Sequence, residues 1–139
     1  TSAMNGVRHG MTVSSFTSIS LIPPMILVSL ERISRTHELV LQAGYFGVTI
    51  LRLDQELISE RFAGRIGTEE NRFEGLETFH LLSPAPLITG GLAFFDCRVV
   101  NTMEAGTSTV FFAEVAAAAS TEAGEALAYT NRTYHRLLP

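Results

Sequence analysis

Leu92-Ala-Phe-Phe-Asp-Cys-Arg-Val-Val100, the turn Glu104-Ala105-Gly106 and Thr107-Ser-Thr-Val-Phe-Phe-Ala-Glu-Val-Ala-Ala117 decide the fold. Ala93, Phe95, Cys97 and Val99 alternate with a partly polar face carrying Asp96 and Arg98, the period of two expected of a strand with one face on a core. The second stretch is of similar length, so the two predict a long antiparallel hairpin. Working back, Tyr45 to Leu51 is β-branched and aromatic, and Met25 to Leu30 is a short apolar run that reads as a buried strand. Met11 to Ser20, rich in Thr, Ser, Val, Phe and Ile, reads as extended and ends at Pro23-Pro24. Ala126 to Tyr129 and Thr133 to Leu137 predict a closing hairpin around Asn131-Arg132.

Two helices interrupt the strands. Thr36 to Gln42 has helical composition, with Ser34 or Thr36 as N-cap and Gly44 as a left-handed C-cap. A second helix, capped by Asp54, runs through Ala63 and is closed by Gly64. Arg65 to Gly75 is polar and reads as loop, and Pro84, Pro86 and Gly90-Gly91 mark another irregular stretch. Asn5-Gly6 is a turn signal without a strand before it, as though something precedes Thr1. Consecutive antiparallel strands with two short helices predict a mainly β fold, a closed or nearly closed barrel, because closure removes exposed strand edges.

Composition bounds the function. The 139 residues make one domain with 46% hydrophobic residues, enough for a packed core. A formal charge of -4 provides no positive field for nucleic acid. All ten basic residues are Arg, and the lack of Lys excludes Schiff-base chemistry and a phosphate-binding lysine of Walker type. Cys97, the single cysteine, excludes an intrachain disulfide and a thiolate cluster and points to a reducing, cytoplasmic compartment. No stretch approaches the roughly 20 apolar residues of a membrane helix. His9, His37, His80 and His135 stand singly, without metal-ligand spacing, and neither a nucleophile elbow nor a Gly-x-Gly-x-x-Gly motif is present.

Two segments remain. Met11 to Ser18 carries hydroxyls on both faces of its expected strand; it is either a Thr- and Ser-rich edge strand or a surface whose small side chains let backbone reach the edge of a flat heterocycle. Ser34-Arg35-Thr36 opens the first helix, where free backbone donors and a guanidinium fork suit an anion, or Ser and Thr simply cap the helix.

These segments resemble the flavin reductase-like, FMN-binding split-barrel family. The resemblance runs through Gly10 to Ser18, Pro23-Pro24 and Met25 to Leu30, then Ser34-Arg35-Thr36-His37. It continues through Asp54-Gln55 to Ser59-Glu60-Arg61-Phe62-Ala63, Cys97-Arg98-Val99-Val100 and Val110 to Val115. It implies a homodimeric split β-barrel spanning 1–139 as one domain, without the family's N-terminal helix and first strand, and with FMN, or FAD, at the subunit interface. By position, Thr12, Val13, Ser14 and Ser15 would contact the flavin ring, Ser29, Leu30 and Glu31 would lie beside it, and Ser34, Arg35 and Thr36 would hold the phosphate; Phe62 is a further candidate. The family commonly reduces flavin with NADH or NADPH and supplies it to a partner monooxygenase. Hydride then passes between two rings, so no catalytic acid or base is expected. Gly106-Thr107-Ser108 stands where the family often has Gly-Asp-His, so Ser108 replaces a nicotinamide-placing His, with Tyr134 and His135 the nearest substitutes; Thr49 stands where many members have Asn. The alternative is a flavin-binding electron carrier or storage protein without its own nicotinamide site.

Overall fold

The long hairpin is the spine of the computed structural model, which describes residues 1–67 and 70–137. Its strands run further than expected, Ala93–Ala105 (β8) and Ser108–Ser120 (β9), joined at Gly106-Thr107 with Gly106 at a φ of 59°. Thr17–Leu21 (β3), Pro24–Glu31 (β4) and Tyr45–Ile50 (β5) complete an antiparallel sheet of order β3-β4-β9-β8-β5. Around it lie three two-stranded pairs: Ser2–Met4 (β1) with Val7–His9 (β2), Thr78–Phe79 (β6) with Leu87–Ile88 (β7), and Leu127–Thr130 (β10) with Thr133–Arg136 (β11).

Arg35–Ala43 (α1) has Ser34 as its N-cap, whose hydroxyl accepts the His37 N–H at 3.1 Å, and Gly44 at a φ of 76° closes it. The core joins every layer. Ile26, Val28 and Leu30 of β4, Val40 of α1, Phe46 of β5, Cys97 of β8 and Phe111 and Ala113 of β9 are all buried. Each large side chain buried this way contributes about 1.5–3 kcal/mol. β4 is therefore buried on one face, with Met25, Leu27 and Ser29 half-exposed on the other.

Four expectations are corrected. Asn5-Gly6 does have a strand before it: both residues take positive φ, 52° and 78°, and turn β1 into β2. The Met11 to Ser20 strand begins only at Thr17, because the residues before it spend their hydrogen bonds on other elements. Asp54 does not cap the second helix; it lies within a 3-10 turn, Leu53–Gln55, that feeds Glu56–Phe62 (α2), and its carboxylate pairs with Arg52. Asp96 is not on a solvated face. The register with β9 shifts between Asp96 and Cys97, so both are buried, and the Asp96 carboxylate accepts the N–H groups of Leu82 at 2.9 Å and Ser83 at 2.6 Å. β6 and β7, on either side of Pro84 and Pro86, were not expected from sequence.

Asp96→Ala should therefore destabilise the fold by about 1.5–3 kcal/mol, since two backbone donors lose a charged acceptor. Asp54→Ala should change it by less than about 0.5 kcal/mol. Urea unfolding of both variants checks the contrast.

Candidate functional site

Gly10 to Phe16 leaves β2 as irregular chain and is held by backbone acceptors. Thr12 N–H donates to Phe62 O at 3.1 Å, and its hydroxyl donates to Ser59 O at 2.6 Å, both on α2. Arg72 Nη1 reaches Gly10 O and Phe62 O, each at 2.9 Å. At the far end Ser15 Oγ bonds both Ser29 N–H, at 2.9 Å, and Ser29 O, at 3.0 Å. Gly10 must be glycine, because a Cβ there would come within 2.9 Å of the Phe62 ring and Thr1 Cγ2.

Two clefts meet along this segment. One, of about 240 Å³, is mainly apolar and lies against Val13, Phe16, Leu30, Ile58 and Tyr134. The other, of about 480 Å³, is faced by Arg35, Arg65 and Arg72 with Glu31 and His9. Met11, Thr12, Thr36 and Phe62 line both. The pair thus forms one continuous groove with an apolar end and a basic end.

The basic end is electrostatically strained. His9 Nδ1 lies 2.7 Å from Thr36 Oγ1. Burial, reinforced by the charges of Arg72 and Arg35, pushes His9 down to about 4, so its imidazole is neutral at pH 7. Among the described residues Arg72 Nε is a buried donor with no hydrogen-bond partner. Arg65 is shared: it also meets Glu60 at 2.7 Å and the Tyr129 hydroxyl at 2.8 Å. Tyr134 Oη in turn lies 2.6 Å from Glu60 and 2.9 Å from Ser59 Oγ, and hydrogen bonding from Tyr134 holds the Glu60 carboxyl low. This network fastens the β10–β11 hairpin beside α2.

The sequence-predicted residues divide between these places. Thr12, Val13, Leu30, Thr36, Phe62 and Tyr134 line the apolar cleft, and Glu31, Ser34 and Arg35 line the basic one. Ser14, Ser15, Ser29, Ser108 and His135 line neither. Ser15 and Ser29 bond each other, and Ser108 opens β9 opposite Glu31. His9, Ser59, Arg65 and Arg72 were missed. His9, Arg65 and Arg72 stand singly outside any motif, and Ser59 lies in the Ser59 to Ala63 stretch, where only Phe62 was singled out.

A groove with an apolar slot leading to guanidinium groups suits a flat ring joined to a phosphate. Residues 1–138 match the flavin reductase like domain. The chain belongs to this family. It is 38% identical over 134 residues to the FMN reductase (NADH) RutF 2 of Methylorubrum extorquens strain PA1, covering 96% of this chain and 77% of that one. It is 37% identical over 126 residues to the reductase component of the FADH(2)-dependent resorcinol hydroxylase of Rhizobium sp. strain MTP-10005, covering 91% and 70%. The structure of the styrene monooxygenase flavin reductase of Pseudomonas putida S12 superposes with a TM-score of 0.85 at 36% identity, covering all of this chain and 88% of that one. The split-barrel fold and family expected from the sequence are thereby borne out. The buried Cys97 thiol of this flavin reductase-like domain is pushed up to about 12 by desolvation, as suits a core side chain rather than a nucleophile.

The neutral His9 makes the fold sensitive to acid. Unfolded, its imidazole titrates near 6.5; folded, near 4. Between these values the unfolded chain binds more protons, so stability rises with pH there, is fully present above 6.5 and is lost as pH falls toward 4. His37, lowered chiefly by burial, acts in the same direction. Ligand-free protein should lose on the order of 1–2 kcal/mol through His9 between pH 7 and pH 5, and His9→Asn should flatten that part of a stability profile measured by chemical unfolding.

Proposed function

We propose that this protein is a flavin reductase that binds FMN, admits FAD, oxidises NADH or NADPH and supplies reduced flavin to a partner monooxygenase. The observation that carries the reading is the joining of the apolar and basic clefts at Met11, Thr12, Thr36 and Phe62. Its relatives include an FMN reductase (NADH) and the reductase component of an FADH(2)-dependent hydroxylase.

The residues fit such a cofactor. Arg35, Ser34 and Thr36 would hold the phosphate, a reading supported by the guanidinium groups of Arg35, Arg65 and Arg72 around that cleft. Thr12, Val13, Leu30 and Phe62 would hold the ring, with Ser14, Ser15, Ser29 and Glu31 at its margin. Bound flavin supplies a two-electron acceptor; the chain supplies binding, orientation and exclusion of water. The Ser34 hydroxyl, already donating to Glu31 O at 2.8 Å and accepting from His37, chiefly fixes the helix start, so Arg35 carries most of the phosphate affinity. Ser108, Tyr134 and His135 remain the proposed nicotinamide contacts, with Tyr134 held toward the apolar cleft by Ser59 and Glu60.

A homodimer belongs to the same reading. Ile22, Ile33 and Leu21 are largely exposed on one chain, and a second subunit would cover apolar surface of this kind. The single buried cysteine accords with a cytoplasmic setting.

Arg35→Ala should weaken FMN by about 1.5–3 kcal/mol, as for loss of a hydrogen bond to a charged group, and leave riboflavin unchanged; fluorescence titration of both ligands checks it. Anaerobic mixing of flavin-loaded protein with NADH or NADPH tests the activity. Bleaching of the flavin supports the reductase, whereas a protein that holds flavin but is bleached by neither donor is an electron carrier.

A further inference from the structure

His9 ends β2 and faces the basic cleft. Its Nδ1 is tied to Thr36 Oγ1, which fixes the ring against the first turn of α1. Nε2 has no hydrogen-bond partner among the described residues, and the buried ring lines the cleft. The ring is therefore held by one nitrogen and offers the other. The charge of Arg35 acts on it from α1 and that of Arg72 from the loop after α2. Arg65 and Glu31 complete the charged lining of the cleft.

This surrounding is hostile to an imidazolium only while the cleft holds no anion. A phosphomonoester carries nearly two negative charges and three acceptor oxygens. Between Arg35 and Arg72 it would reverse the sign of the local field, and an imidazolium would then gain a charge-assisted hydrogen bond. Ligand affinity and proton affinity at one place are reciprocally linked, so whatever favours the imidazolium also favours the phosphate.

We propose that His9 is a further, protonatable ligand of the flavin phosphate, beside the guanidinium groups of Arg35 and Arg72, and that it takes a proton from solvent as the phosphate enters. The proposal rests on reading this cleft as the flavin phosphate site. No bond other than N–H is made: bulk water or buffer supplies the proton, and it returns there when the flavin leaves. For a reductase that hands its flavin to another protein, such a residue makes retention of the phosphate end stronger in mild acid and weaker as pH rises.

The test is calorimetric titration of the full chain with FMN and with riboflavin, in two buffers of different ionisation enthalpy, from pH 6 to pH 8. Wild type is compared with His9→Asn, which keeps a donor toward Thr36 and removes Nε2. Because the phosphate's own titration is common to both proteins, their difference isolates His9. The expected result is a larger proton uptake with FMN in wild type than in the variant, about 0.5 proton or more near pH 6. FMN binding should be about ten-fold weaker in the variant there, the worth of one hydrogen bond to a charged group, with riboflavin affinity equal in the two proteins. Equal proton counts and equal FMN affinities would overturn the role of His9 while leaving the flavin site standing. Equal weakening of FMN and riboflavin would also overturn it, by making His9 a structural residue. Failure of wild type to bind either flavin would overturn the flavin reading itself, and the proposal with it.

Discussion

The hold of α2 on the irregular segment Gly10 to Phe16 is the constraint on which the groove depends. α2 has seven residues, too few to persist alone in water. Its last residue leaves the Phe62 carbonyl free of the helix, and Thr12 N–H and Arg72 Nη1 both donate to it, while the Thr12 hydroxyl donates to Ser59 O, which also accepts the Ala63 N–H. The same bonds stop the segment from pairing as a strand and draw it across the mouth of the barrel. Phe62, anchored by an edge-on contact with Phe73 at 5.0 Å between ring centroids, becomes the wall common to both clefts. If that hold were lost, the apolar slot would lose one side and the basic cleft its floor.

Charge is distributed to suit this wall. Buried polar groups in the interior are paired: the Asp96 carboxylate receives two backbone donors, His37 meets Thr109 at 2.8 Å, and the Ser2 hydroxyl donates to Tyr45 O at 2.8 Å. Three guanidinium groups collect at the basic cleft, and two of them have a second duty: Arg72 binds backbone, and Arg65 ties Glu60 to Tyr129. Arginine suits both roles, since its planar fork can hold a carbonyl with one nitrogen and present another to a ligand. With no lysine in the chain, each of these positions relies on that fork. The β10–β11 hairpin, a separate two-stranded pair, is held beside the apolar cleft by the Tyr134–Glu60–Arg65–Tyr129 contacts and by the backbone bond from Leu127 N–H to Leu51 O at 3.2 Å.

The elements legible in the sequence are those set by local periodicity and punctuation. The β8–β9 hairpin, α1 with Ser34 and Gly44, β5 and the Asn131-Arg132 hairpin all appear where alternation, caps and turn residues put them. What was misread depends on distant partners. Met11 to Phe16 has strand composition, yet its hydrogen bonds go to α2 and β4. Asp96 looks solvated until a register shift turns it inward. At the site, Arg35 and Thr12 were visible because a helix start and a hydroxyl-rich run are local patterns. His9 and Arg72 were not, because they meet only when β2 and the loop after α2 close on the same cleft.

The central claim, that one flavin spans both clefts with its phosphate at the arginine end, is tested most directly by backbone amide NMR shifts on binding. Riboflavin and FMN, added separately, should both move Thr12, Val13, Phe16 and Phe62. FMN alone should in addition move His9, Arg35 and Thr36. Identical shift patterns for the two ligands, or shifts confined to the exposed ends of β8 and β9, would contradict it.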